Sequence, residues 1–228
     1  MIAENIKSVK QRIENAAKRA GRNPEDITLI AVSKTVEAER VQMAVDAGIE
    51  ILGENRVQEI LAKYDCVKGA SWHMIGHLQT NKVKQVVGKV SLIHSVDSLH
   101  LLDEIERVSE AKNTVSHFLL QVNVSGEESK FGISPDDVFK FTEYAENLKH
   151  SKLSGLMTIP PPVADPYENK KYFDKLFEIS VDIQSKNYDN ISMDILSMGM
   201  SGDFEAAIEC GSTMVRVGSA IFGNRNYN

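Results

Sequence analysis

Cysteine is nearly missing from this chain: Cys66 and Cys210 are the only two, far apart and in no C-x-x-C pair. That excludes a disulfide scaffold and a cysteine-built metal centre, and it points to a reducing compartment. Long hydrophobic runs are missing as well, and nothing approaches the roughly 18 apolar residues of a membrane span. Residues 1–21 place Glu4, Lys7, Lys10, Arg12 and Glu14 where the apolar region of a secretory signal would have to lie. Positive charge is not in excess either. The 26 Lys and Arg against 32 Asp and Glu leave a net charge of −6, which rules out an overall basic nucleic-acid binder. Proline is scarce, and half of its six copies form the run Pro160-Pro161-Pro162. No Gly/Ser linker or shift in composition marks a domain boundary. The expectation is a cytoplasmic protein that contacts neither membrane nor nucleic acid and folds residues 1–228 as one domain.

What is present is an ordinary globular balance, 42% hydrophobic and 25% charged, in a chain long enough to bury a large core. Ile2, Ile6, Val9, Ile13, Ala17 and Ala20 recur at helical spacing, and Gly21 follows as a helix-ending residue, so 3–20 reads as an amphipathic helix. Eight short apolar runs come next, at 28–32, 49–52, 72–75, 91–95, 118–124, 153–159, 195–198 and 214–217. Most are dense in apolar residues rather than alternating, as strands buried on both faces should be. Helical patterns separate them at 37–47, 55–64, 81–87, 98–112, 135–149 and 167–186. The mean step of about 27 residues is the size of one βα unit, and eight such units predict a single (β/α)8 TIM barrel with an extra N-terminal helix. An open doubly wound sheet is the competing reading, because periodicity does not reveal closure. The proline run with Asp165-Pro166 falls where a stiff loop at the barrel mouth belongs.

In such a barrel the chemistry gathers where the strands end. The first run ends in Ala31-Val-Ser-Lys34-Thr35, which sets a lysine at the lip of an apolar strand. Taken alone, Lys34 reads as a surface residue opening a loop. Held in a desolvated mouth, it would suit Schiff-base formation with an aldehyde. The eighth run continues as Met214-Val-Arg216-Val-Gly218-Ser219, and the seventh ends in Ser197-Met-Gly-Met-Ser201-Gly-Asp203. Either turn alone could use Gly and Ser for backbone reasons. Together, after strands seven and eight, they favour a phosphate site. His73 and His77 have i, i+4 spacing, but Met74 stands where a zinc protease needs Glu and Gly76 breaks the helix, so no metal is expected. The methionines near strand seven read as barrel filling.

A strand-one lysine, a phosphate cradle after strands seven and eight, and an arginine on strand eight point to pyridoxal 5′-phosphate. The sequence resembles the pyridoxal phosphate homeostasis proteins, a YggS/PROSC-like family with the barrel of the alanine racemase N-terminal domain. Six stretches carry the resemblance across nearly the whole chain: Ala31-Val-Ser-Lys-Thr35, Gly53-Glu-Asn55, Trp72-His-Met-Ile-Gly76 with Leu78-Gln-Thr-Asn-Lys82, Gly155-Leu-Met-Thr158, Leu196-Ser-Met-Gly-Met-Ser201 and Arg216-Val-Gly-Ser219. Each is weak alone, and six in order form a strong signal.

The resemblance implies that Lys34 holds the cofactor as a Schiff base. It implies that Ser201, Gly218 and Ser219 bind its phosphate and that Arg216 faces the pyridine nitrogen. Asn55 matches a residue close to the cofactor, and it could equally cap the helix that follows. Lys130 lies in a family-like loop after strand five, either as a mobile lysine that accepts or releases cofactor or as a solvated loop residue. The resemblance also implies a monomer, with pyridoxal-phosphate-accepting apo-enzymes as partners.

An arginine opposite the pyridine nitrogen keeps that nitrogen unprotonated and the ring a poor electron sink, which disfavours transamination. Racemisation tolerates such an arginine but needs two acid–base groups on opposite faces of the substrate carbon. In the related racemases the second group is a tyrosine from a separate domain. This chain ends five residues after Gly223, and Tyr227 at the terminus is a poor substitute. The expectation is therefore a carrier with no catalytic residue, acting in intracellular pyridoxal phosphate homeostasis. The alternatives are a low-activity amino-acid racemase and a cofactor-free barrel enzyme acting on a phosphorylated metabolite.

Overall fold

The computed structural model describes residues 1–223. Helix α1 (Ile2–Arg19) buries Ile2, Ile6, Val9, Ile13, Ala16 and Ala17, the face the periodicity marks out. It ends in a Schellman motif: Arg22 N–H bonds the Ala17 carbonyl at 2.9 Å, Gly21 N–H bonds Lys18 at 3.1 Å, and Gly21 takes φ +66°. Strands and helices then alternate as β1 (Thr28–Val32), α2 (Ala38–Asp46), β2 (Ile51–Glu54), α3 (Val57–Tyr64), β3 (Ser71–Met74), α4 (Val83–Val86), β4 (Leu92–Val96) and α5 (Leu99–Ala111). The second half continues as β5 (Ser116–Gln121), α6 (Val138–Glu146), β6 (Ser151–Met157), α7 (Lys170–Gln184), β7 (Ile191–Met200), α8 (Phe204–Glu209), β8 (Met214–Val217) and α9 (Ser219–Phe222).

Each strand pairs in parallel with the next, and β8 closes on β1 through the register Ile30↔Arg216. The sheet is thus a closed barrel among the described residues, and the open-sheet alternative is wrong. Helix α1 lies outside the ring against α8 and α9. There Asn5 Nδ2 donates to the Ile221 carbonyl at 2.8 Å, and Arg12 pairs with Glu205 at 2.8 Å while lying over the Phe204 ring. No helix among the described residues is long and apolar enough to cross a membrane.

Several boundaries differ from the sequence expectation for local reasons. Strand β2 starts two residues late because Ile49 N–H is used to cap α2, bonding the Ala44 carbonyl at 3.1 Å. The segment expected as helix 81–87 is an α-helix only over Val83–Val86, behind a 3-10 turn at Thr80–Lys82. Strand β7 spans ten residues rather than the four of its apolar run. It passes Gly155 of β6 so closely that a Cβ there would overlap the Ile195 carbonyl. Gly155, at φ +148°, is the residue that permits the register shift between these strands.

Alternation along each strand sorts side chains into lumen and outer shell. Ile30, Leu92, Leu119, Met157 and Met214 form an apolar cluster separate from the main core and fill the lumen. The lumen methionines are thus those of β6 and β8. Met198 of β7 belongs to the outer core between strands and helices. Two residues beyond Leu92 and Met214 along their own strands come His94 and Arg216, so a polar layer sits directly above the apolar floor.

Candidate functional site

The end of the barrel where the strands finish collects every candidate residue. Lys34 is the second residue beyond β1 and is half-buried; its amine takes part in none of the hydrogen bonds or ion pairs formed among the described residues. Asn55 follows β2 directly. The N-cap of α3 is Arg56, with no side-chain capping bond, so the capping role considered for Asn55 is not the one it plays. Its backbone runs hard against the segment that follows β3: a Cβ on Gly76 would stand 2.6 Å from Asn55 Cα and overlap the Asn55 carbonyl oxygen, so only glycine fits there.

Ser201 and Gly218, the first residues after β7 and β8, are joined by a hydrogen bond from Gly218 N–H to Ser201 Oγ at 3.1 Å. The two loops paired in the sequence are therefore tied together in space. Ser219 begins α9 and is exposed; Ile221 N–H and Phe222 N–H bond the Gly218 carbonyl, which leaves the Ser219 and Ala220 N–H groups without an acceptor among the described residues. Asp203 braces the β7 loop by accepting Met200 N–H at 2.7 Å and Asn169 Nδ2–H at 2.9 Å.

Arg216 is buried in the lumen at 3% exposure. One terminal nitrogen donates to Ser197 twice, to the carbonyl at 2.7 Å and the hydroxyl at 2.6 Å, and the other donates to the Thr158 carbonyl at 2.9 Å. A guanidinium carries five N–H donors, so two are left for a ligand. Burial pushes its pKa down to about 10, with Asp203 opposing, and the group remains cationic at neutral pH.

Sequence reasoning missed what lies behind Arg216. Ser197 Oγ meets His94 Nδ1 at 2.9 Å, and His94 Nε2 meets His73 Nδ1 at 3.0 Å. Because the Ser197 hydroxyl accepts from Arg216, its own hydrogen goes to His94 Nδ1. His94 then donates through Nε2 to His73, and the row runs in one direction across the lumen. Burial lowers both histidines, His73 to about 4 and His94 well below its ordinary value, with His73 and then Arg216 adding to the effect on His94. The available signal was a histidine inside each of two otherwise apolar runs.

Lys130 is half-buried in the loop after β5, where Asn123 Nδ2 donates to the Glu127 carbonyl at 2.9 Å. Its neighbour Phe131 is exposed and stacks on His77 with ring centroids 4.2 Å apart. Tyr227 lies outside the described residues.

A family model described as the alanine racemase N-terminal domain matches residues 4–226, which sets the chain among barrels of the alanine racemase type. The pyridoxal phosphate homeostasis protein of Aquifex aeolicus is 46% identical over 226 residues, covering 98% of each chain. That of Pseudomonas aeruginosa is 42% identical, covering 99% of this chain and 96% of the other. The chain belongs to the pyridoxal phosphate homeostasis protein family. PipY of Synechococcus elongatus, solved with PLP bound, superposes with a TM-score of 0.84 at 30% identity, covering 98% of this chain and all of that one.

Proposed function

We propose that the barrel mouth binds pyridoxal 5′-phosphate through Lys34, Asn55, Ser201, Arg216, Gly218 and Ser219, and that the protein buffers and delivers this cofactor in the cytoplasm without substantial catalysis. The donor set fits the group. Lys34 offers a primary amine that is unengaged among the described residues, and Ser201 and the N–H groups opening α9 offer hydrogen-bond donors suited to an anion. Arg216 offers a fixed cation with two spare N–H groups. When bound, pyridoxal phosphate supplies an aldehyde that condenses reversibly with a primary amine. The relatives' shared name and the PLP held by PipY support the same reading.

The observation that carries the proposal is the buried, fully oriented Arg216. A guanidinium that stays charged at neutral pH keeps a neighbouring ring nitrogen unprotonated, so the residues favour holding the cofactor over using it as an electron sink. Sequestering a reactive aldehyde is a physical purpose in itself. One domain, working as a monomer and handing cofactor to apo-enzymes, is the arrangement we infer.

The test is an absorption titration of the full chain with pyridoxal phosphate. A yellow band that borohydride bleaches, leaving the label on Lys34, is expected, and a protein that stays colourless overturns the proposal. Incubating the loaded protein with L- and D-amino acids checks the second half. Turnover that vanishes in Lys34→Ala would make the protein an enzyme.

A further inference from the structure

The turn that carries Lys34 is gripped from behind by a buried charge cluster outside the mouth. Ser33 and Glu54 point away from the lumen, toward α3, and Ser33 Oγ donates to Glu54 Oε1 at 2.6 Å. Lys63 of α3 donates to the same oxygen at 2.7 Å, to the Ser33 carbonyl at 2.7 Å and to Glu59 at 3.2 Å. Glu59 Oε2 in turn accepts Thr35 N–H at 2.6 Å. The backbone is therefore held on both sides of Lys34, at the carbonyl before it and at the amide after it.

Thr35 is where the grip matters. Its φ of +62° is left-handed, a conformation a β-branched residue avoids. Lys34 and Thr35 together form the turn that follows β1. Glu54 is fully buried, with Oε2 lacking any partner among the described residues, an arrangement that is costly as a means of stability alone. Burial pushes the Glu54 carboxyl up against the pull of Lys63 and Ser33. Burial also pushes Glu59 up, but Thr35 N–H and Lys63 together outweigh it and hold its carboxyl below the usual range.

We propose that Glu59, Lys63 and Glu54 are positioning residues for Lys34, a strap that keeps Thr35 left-handed and so aims the Lys34 amine into the mouth. The inference rests on the reading of Lys34 as the amine that condenses with the cofactor's aldehyde. Glu59 acts directly on the turn, through the Thr35 amide. Lys63 and Glu54 hold Glu59 and the Ser33 carbonyl in place.

The experiment uses two probes on the full chain: pyridoxal 5′-phosphate, and pyridoxine 5′-phosphate, which has the phosphate and ring but no aldehyde. In Glu59→Ala the condensation rate should fall roughly tenfold or more, as expected when a reacting group is misplaced, with pyridoxine phosphate affinity unchanged. Glycine takes a left-handed φ without steric cost, so Thr35→Gly in the Glu59→Ala background should restore most of that rate. Circular dichroism establishes that each variant is folded, and Glu59→Gln, which keeps an acceptor oxygen, should fall between wild type and Glu59→Ala. An unchanged rate in Glu59→Ala, or a double variant no faster than the single one, overturns the strap. Wild type that binds neither probe overturns the site itself and the strap with it, a result separable from failure confined to the variants.

Discussion

Arg216 and Ser197 meet through two hydrogen bonds from one guanidinium nitrogen, to the carbonyl at 2.7 Å and to the hydroxyl at 2.6 Å, with both residues buried. The second bond uses one lone pair of the Ser197 hydroxyl, and its hydrogen is best spent on His94 Nδ1, 2.9 Å away. Burial keeps both histidines of the row neutral inside the barrel.

The first prediction concerns that row and pH. The folded pKa of His73 lies near 4, below the unfolded value near 6.5, so between those pH values the unfolded chain binds more protons than the folded one. Stability is full above about pH 6.5 and falls as pH drops toward 4, by about 3 kcal/mol for His73, with His94 shifted in the same direction. Urea unfolding of wild type and His73→Gln across this range measures the difference. Parallel curves would remove the histidines from the acid sensitivity.

Ser197→Ala should destabilise the fold by about 1–3 kcal/mol, because it strands one Arg216 N–H and the His94 ring nitrogen in a buried layer. Chemical denaturation reads the loss. A neutral substitution would mean that water or another group satisfies both atoms.

Gly76→Ala tests the close approach to Asn55 of the segment that follows β3. The added Cβ meets backbone rather than a flexible side chain, so the segment must move, at a cost of about 1–3 kcal/mol. Weaker pyridoxal phosphate uptake should accompany the lower unfolding midpoint. Wild-type stability in this variant would show that the approach is looser than described.

Ser201→Ala and Ser219→Ala address the phosphate. Ser201 Oγ already accepts Gly218 N–H, so its own hydrogen is free to donate. Each lost charge-assisted bond is worth about 1.5–3 kcal/mol, a fall in affinity of roughly 10- to 150-fold at 25 °C. Titration with pyridoxine 5′-phosphate isolates this contribution from Lys34, and retained affinity in both variants would dismiss the phosphate assignment.

Much of the molecule was legible in advance, and the residues show why. Buried parallel strands read as dense apolar runs, so all eight appeared in order even where their ends were blurred by caps such as Ile49. Lys34, Arg216 and the loops after β7 and β8 stood out because reactive or glycine-bearing residues at strand ends are local features. Asn55 remained ambiguous between cap and site for the opposite reason. Its neighbour Gly76 is 21 positions away, and only the paired strands reveal their contact.

By itself the sequence determined the alternation of strands and helices, the family resemblance, and the residue types gathered at the strand ends, all of which depend on local pattern. Closure of the sheet was decided by tertiary structure, as were the row from Arg216 to His73 and the strap behind Lys34. His94 and Ser197 are 103 residues apart, and Ser33 and Glu54 are 21 apart. Whether such pairs meet depends on the register between strands, since a slip of one residue sends every side chain to the other face of the sheet.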